Sequence, residues 1–325
     1  MLIARLGAAA LAVALAAPAI AQEQPRNPEC IAPSNPGGGW DFTCRTVGKI
    51  LTDEGLVDGQ IQVTNMAGGV GAVVYALVTG KRTDDAGLFV ASSTVGITQI
   101  AQGKYPAGVD AVRWLAMLGA DVGTVLVRPD SEYGDLAALL EAMKANPEGI
   151  VAGGSSAVGG WDHLRLLLLA REAGISEADL KRIRWVQYDG GSDAVTQLIG
   201  GFLDVVLTDI GEIGGFIQSG DAKAIAVMAT EPLTAYPDIP LAEVNGAPVE
   251  GYNWRGFYVP KDITDEQYDF WLGAMGTLYE SDAWQEEATA AGLTPIFRGG
   301  EEFEGFVRQS EEDMAALSRA IGVIQ

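Results

Sequence analysis

The sequence predicts an α/β protein of two domains with largely parallel sheets, and three observations predict it. Short apolar runs alternate with stretches of helical periodicity along nearly the whole chain. At 325 residues the chain is about twice the length of a common domain, and 48% hydrophobic against 20% charged residues is ample for packed cores. Finally, Gly38-Gly39-Trp40-Asp41 returns as Gly159-Gly160-Trp161-Asp162, each copy in a glycine-rich turn between an expected strand and an expected helix. The repeat suggests two similar halves facing one another.

In chain order, residues 1–21 stand outside the fold. Arg5 supplies a positive start, residues 6–17 form an Ala/Leu/Val run, and Ala19-Ile20-Ala21 fits the small-x-small rule, so a secretory signal peptide cleaved after Ala21 is expected. An uncleaved anchor is the alternative. The run is too short to span a bilayer, however, and no later segment reaches the roughly 20 apolar residues a transmembrane helix needs. A strand is expected at 29–32, then a helix with Trp40, Cys44, Val47 and Leu51 on one face and Gly55 as its stop. Ile61-Gln62-Val63 reads as a strand, Ala67-Gly68-Gly69-Val70-Gly71 as a break, and 72–78 as a helix. Strands follow at 88–91, ending in Ser92-Ser93-Thr94, and at 114–118 and 124–127.

Arg128-Pro129-Asp130 marks the expected crossing into the second domain. There a helix is expected at 135–144, a strand at 150–152, the turn Gly153 to Gly160, a helix through Leu164 and 166–169, and strands at 184–187, 205–207 and 224–228. The Pro-rich stretch 231–251 reads as the return path, with a strand at 254–259 re-entering the first domain and helices at 265–279, 282–291 and 302–320 closing it. The expected organisation is therefore a signal peptide at 1–21, a discontinuous first lobe at 22–128 plus 252–325, and a second lobe at 129–251.

Charge and composition exclude several function classes. With 21 basic and 43 acidic residues the formal charge is -22, and loss of Arg5 with the signal peptide makes it -23. That is incompatible with the clustered positive surface a nucleic-acid binder needs, so nucleic acid is no partner, and a self-repelling monomer is expected. One histidine and two cysteines cannot build a Cys/His zinc cage, and no metal or cofactor is expected. In an oxidising compartment the even pair Cys30 and Cys44, bracketing a glycine-rich turn, is expected to form a disulfide rather than two free buried thiols.

The standard catalytic motifs fail. G-x-x-x-x-G-K-[ST] breaks at Tyr75, no G-x-G-x-x-G occurs in the turns at 37 or 68, and Ser155 and Ser156 lack the second glycine of a nucleophile elbow, Ala157 and Val158 standing there. His163, in the first turn of a helix, reads as a satisfied residue or as an acid/base group; Asp41, Asp189 and Asp209 read as caps or as an acid/base pair. Short hydrogen-bonding groups dominate the turns instead: Ser34, Asn35, Ser92, Ser93, Thr94, Ser155, Ser156, Thr208 and Asp209 suit a small polar ligand in a cleft. Each Gly-Gly-Trp-Asp can present bare N–H groups and a helix N-terminus to an anion, or can be a tight turn with a core Trp and a capping Asp. Arg255, expected to face the cleft, is a candidate carboxylate partner or a structural ion pair.

Ile31-Ala32-Pro33 through Pro36-Gly37-Gly38-Gly39-Trp40-Asp41, Asn65-Met66-Ala67-Gly68-Gly69, Gly153-Gly154-Ser155-Ser156-Ala157-Val158-Gly159-Gly160-Trp161-Asp162-His163 and Asn253-Trp254-Arg255-Gly256-Phe257-Tyr258-Val259-Pro260 together resemble the periplasmic substrate-binding receptors of tripartite tricarboxylate transporters, the TctC branch of the Bug-type proteins. The resemblance covers essentially the whole mature chain. It implies a two-lobe, type II-like periplasmic binding protein that is not an enzyme, a small carboxylate such as citrate or a related tricarboxylate as ligand, and a large and a small integral-membrane subunit as partners. Its ligand groups map to Ser34, Asn35, Gly37, Gly38, Gly39, Trp40, Asp41 and Asn65, to Ser92, Ser93 and Thr94, to Ser155, Ser156, Ala157, Val158, Gly159, Gly160 and His163, and to Asp209 and Arg255. Trp-Asp-His and Asn-Trp-Arg-Gly-Phe favour the tricarboxylate branch, while Ala67 departs from an expected proline. Competing readings are a secreted hydrolase or lyase with His163 and Asp209 as acid/base, and a sensory adaptor for a membrane kinase.

Overall fold

A computed structural model describes residues 24–34, 36, 39–188 and 190–325. The signal-peptide reading, Asn35, Gly37, Gly38 and Asp189 lie outside the described residues. The elements run β1 (Glu29–Ala32), α1 (Gly39–Asp53), β2 (Gln62–Asn65), α2 (Ala72–Lys81), β3 (Leu88–Ser93), α3 (Thr94–Ala101), β4 (Val112–Val127), α4 (Leu136–Ala145), β5 (Val151–Gly154), α5 (Trp161–Glu172), α6 (Glu177–Leu180), β6 (Arg184–Gln187), α7 (Gly191–Ile199), β7 (Val205–Asp209), α8 (Gly214–Ser219), β8 (Lys223–Val227), β9 (Tyr252–Pro260), α9 (Asp265–Glu280), α10 (Asp282–Ala290), β10 (Arg298–Gly299) and α11 (Gly300–Ala320). No helix among the described residues is long and apolar enough to cross a membrane.

The strands form one path, β2-β1-β3-β9-β4-β7-β5-β6, with β8 and β10 also pairing β4. The pairs β1–β2, β1–β3, β5–β6 and β5–β7 are parallel, as each joins strands through a crossover helix. The expectation of largely parallel sheets is corrected at the centre, where β9 pairs antiparallel with β3 and β4, and β4 antiparallel with β7 and β8. The reason is topological: β4 and β9 carry the chain across and back, so they meet head to tail. The strands expected at 114–118 and 124–127 are one 16-residue strand, β4, which pairs with β9 up to Val122 and with β7 and β8 from Gly123 onward. Helices α3, α6, α7 and α8 fall in stretches for which the sequence reading expected no element.

Alternation along β9 decides what lies on each side of the crossing. Tyr252 and Trp254 point to one side, where Trp254, Trp114 and Phe303 meet edge to face with centroids 5.1–6.2 Å apart beneath α11. Asn253 and Arg255 point to the other. α11 packs on α3, β4 and α5 and so covers the apolar side. A second apolar cluster fixes α1 between β1, α9 and α10 through Val47, Leu51, Trp271 and Trp284, all fully buried. Cys30 of β1 and Cys44 of α1 are joined as expected, tying the first strand to the helix that leaves the glycine-rich turn.

The bridge spans a sequence separation of 14 residues, for which the loop-entropy account gives roughly 3 kcal/mol. Reduction is expected to lower the urea midpoint by an amount equivalent to about that energy; an unchanged midpoint in reductant contradicts it.

Candidate functional site

Strand register assembles the site. Antiparallel pairing sets Ser93 opposite Arg255, Asp121 opposite Asn253 and Asp209 opposite Gly123. Alternate residues share a face, so Ser93, Arg255, Asn253, Asp121 and Asp209 form one polar row across the front of the crossing strands. Side-chain bonds confirm the row: Arg255 Nη1 donates to Asn253 Oδ1 at 3.0 Å, and Asn253 Nδ2 donates to Asp209 Oδ2 at 2.8 Å. Arg255 also abuts the first glycine-rich turn, since a Cβ on Gly39 would stand 3.5 Å from its Nη2. The guanidinium and the N-terminus of α1 thus present positive charge at one place.

Each turn is locked by its own aspartate. Asp41, buried in α1, accepts from Asn65 Nδ2 at 2.8 Å and pairs with Arg45 Nε at 2.9 Å; the same Asn65 Nδ2 donates to the carbonyl of Ser34 at 3.2 Å. Trp40 is half-buried beside this turn. In the second turn, Asp162 accepts from Ser155 N at 2.9 Å and from Ser155 Oγ at 2.6 Å, while Ser156 Oγ accepts from the amides of Asp162 and His163 at 3.0 and 3.3 Å. Ser156 therefore caps α5, the work the sequence reading offered to Asp162. Ala157 and Val158 form an exposed tip, and the Gly160 amide closes the turn onto Ala157 O at 2.7 Å. Gly159, at φ +78, donates its amide to His163 Nδ1 at 2.9 Å and its carbonyl accepts from Nε2 of Gln102, just past the end of α3, at 2.5 Å. A side chain at that left-handed position would be strained and would meet Val323.

His163 is thereby committed. Its ring is buried against Trp185, with centroids 5.0 Å apart, and burial pushes its pKa down to about 4, so it is neutral at physiological pH. Ser93 Oγ caps α3 at Val95 N, and Thr94 Oγ1 donates to Tyr252 O at 2.6 Å, so both hold the strand-to-helix junction. Ser92 is buried beneath α3, its Oγ within 2.9 Å of where a Cβ on Gly96 would lie. Ser34 Oγ, just beyond β1, and Thr208 Oγ1, near the end of β7, are buried without a partner among the described residues.

The sequence reading missed the charges beneath the row. Arg165, fully buried in α5, pairs with Asp162 at 3.2 Å and with Asp209, and lies over the crossing where a Cβ on Gly123 would meet its Nε at 3.0 Å. Asp121 accepts from Gly211 N at 3.1 Å. Burial first, and then the negative charge of Asp209, raise the Asp121 pKa to about 7 against the pull of Gly211 N–H, Arg165 and Arg255. Burial likewise raises that of Asp162. Both missed residues carry a signal: Arg165 interrupts a run of leucines, and Asp121 is the one acid in a 16-residue apolar strand.

Residues 59–323 match the tripartite tricarboxylate transporter family receptor, TctC. The chain is 28% identical over 330 residues to Protein BugT of Bordetella pertussis, covering 99% of this chain and 97% of that one. Among solved structures it is similar to a TctC solute binding protein from Polaromonas, with a TM-score of 0.80, 20% identity and coverage of 91% of this chain and 98% of that one. MatC from Rhodopseudomonas palustris, with bound malate, superposes with a TM-score of 0.63, 18% identity and coverage of 91% and 98%.

Two outcomes follow from this geometry. Arg165→Met strands two buried carboxylates and is expected to cost about 3–5 kcal/mol, whereas Arg45→Met, removing a half-exposed partner of Asp41, should cost under about 1; urea melts giving equal losses would contradict the difference. For His163, the folded pKa lies below the unfolded 6.5, so the unfolded chain alone takes up a proton as pH falls from 6.5 to about 4, and stability is lost across that window and levels off below it. His163→Gln should remove that loss, on the order of 3 kcal/mol in the wild-type-minus-variant difference between pH 7 and pH 4; a flat difference rejects it.

Proposed function

Because the chain belongs to the tripartite tricarboxylate transporter receptor family, we propose that it captures citrate or a related tricarboxylate in the cleft before the crossing strands and delivers it, unaltered, to the membrane subunits. Receptors of this family are periplasmic solute-binding proteins that take small carboxylates and work with membrane transporter subunits; the chain is such a receptor and not an enzyme. In this reading the chain is exported with cleavage after Ala21, acts as a monomer, and closes its two lobes on the acid.

The observation that carries the reading is the Arg255 guanidinium set against Gly39 at the start of α1. A carboxylate there takes a charge-assisted bond from Arg255 and main-chain N–H groups of the turn. The hydrolase alternative lacks its reagents: His163 Nδ1 is taken by Gly159 N, and Asp209 by Arg165 and Asn253. Net negative charge is no obstacle, because at about 0.15 M salt the screening length is roughly 8 Å and contacts within the cleft decide affinity.

Calorimetric titration against citrate, isocitrate, tricarballylate, malate, adipate and terephthalate is the test. One saturable site with citrate or another tricarboxylate tightest is expected, and Arg255→Ala should weaken it by about 1.5 kcal/mol or more. Preference for malate or adipate rejects the tricarboxylate assignment, and unchanged affinity in Arg255→Ala rejects the anchoring role.

A further inference from the structure

The apolar side of the crossing strands holds a separate cavity of about 320 Å3. Trp161 and Leu168 of α5 form one wall, Phe306 and Met314 of α11 the other, and Tyr252 of β9 lines the space between them. Tyr252 alternates with Asn253 and Arg255, so the sheet stands between this cavity and the polar row. Volume and lining are those of a small-molecule site; of the expected carboxylate groups only Thr94 lines it, and its hydroxyl is taken by the Tyr252 carbonyl.

Two features define what fits. Arg171 and Asp313 face each other at the opening at 2.9 Å, and Glu250 is held by Arg298 at 2.7 Å, so each cation is matched, whereas Glu172 at the rim has no ion-pair partner among the described residues. The lining therefore has a surplus of negative charge. The aromatic faces already accept a cation: the Arg298 guanidinium lies 4.5 Å from the Phe306 ring centroid and 6.0 Å from that of Tyr252.

We propose that this cavity binds a small aromatic amine, with its ring between α5 and α11 and its ammonium at Glu172. Charge and aromatic lining select the cation over an anion of the same shape. The site is independent of the carboxylate cleft, and an occupant would touch helices packed on both halves of the sheet.

Tyramine is the probe, titrated calorimetrically into the purified chain, with 4-hydroxyphenylacetate as its anionic counterpart. One saturable tyramine site is expected. Leu168→Trp, which fills the cavity, should weaken it at least tenfold, and Glu172→Gln at least fivefold. If Leu168→Trp does not fold, Ser310→Trp fills the cavity from α11 and serves instead. No saturable tyramine binding up to about 10 mM, binding that survives the filling substitution, or 4-hydroxyphenylacetate binding more tightly than tyramine at a position sensitive to that substitution would each overturn the proposal. Failure of citrate to bind leaves these outcomes untouched.

Discussion

A guanidinium with no access to water, that of Arg165, is the constraint around which the crossing is built. Removing such a charge from solvent is tolerable only where carboxylates and hydrogen bonds replace the lost hydration. Asp162 supplies one from the same helix and Asp209 another from the end of β7. Their positions then dictate the rest. Asp162 reaches back to fasten the Ser155 turn, and Asp209 reaches forward to Asn253 and, through it, to Arg255. Gly123 has no alternative, since a side chain there would meet both Arg165 and the carbonyl of Gly251. One buried cation thus couples the second glycine-rich turn, the crossing strands and the guanidinium beside the first turn.

Electrostatics at this place are local. The chain carries a formal charge of -22, yet the groups in the polar row feel chiefly one another. Asp121 holds its proton unusually well because it is buried next to Asp209, which leaves fewer negative charges in front of Arg255 than the residue list implies. Each acid of the row is matched to a nearby donor: Asp121 to the Gly211 amide, and Asp209 to Asn253 and Arg165.

Much of the fold was legible because it follows from periodicity. Helices α1, α4, α9, α10 and α11 and strands β1, β6 and β9 lie close to their expected bounds. Helix α3 was not legible: Thr94-Val95-Gly96-Ile97-Thr98 is β-branched and interrupted by glycine, and it is helical because Ser93 caps it and α11 packs on it. Gly119 and Gly123 made β4 look like two strands, although those glycines are where other chain segments press against it. The sequence repeat correctly located two turns between strand and helix. It could not tell which polar groups remain free, because a side chain's partner is a tertiary fact: Asp41, Asp162, Ser155, Ser156 and His163 turn out to hold the turns together, and Asp121 and Arg165 came into view only through β4 and α5.

The continuity of β4 has a mechanical consequence. Its 16 residues belong to both halves of the sheet without a loop between them. Relative rotation of those halves must therefore be taken up as torsion spread along a hydrogen-bonded ribbon, like the wire of a galvanometer. In the lobe closure proposed above, such an element would act as a torsion spring, limiting the swing and favouring return once the ligand has left.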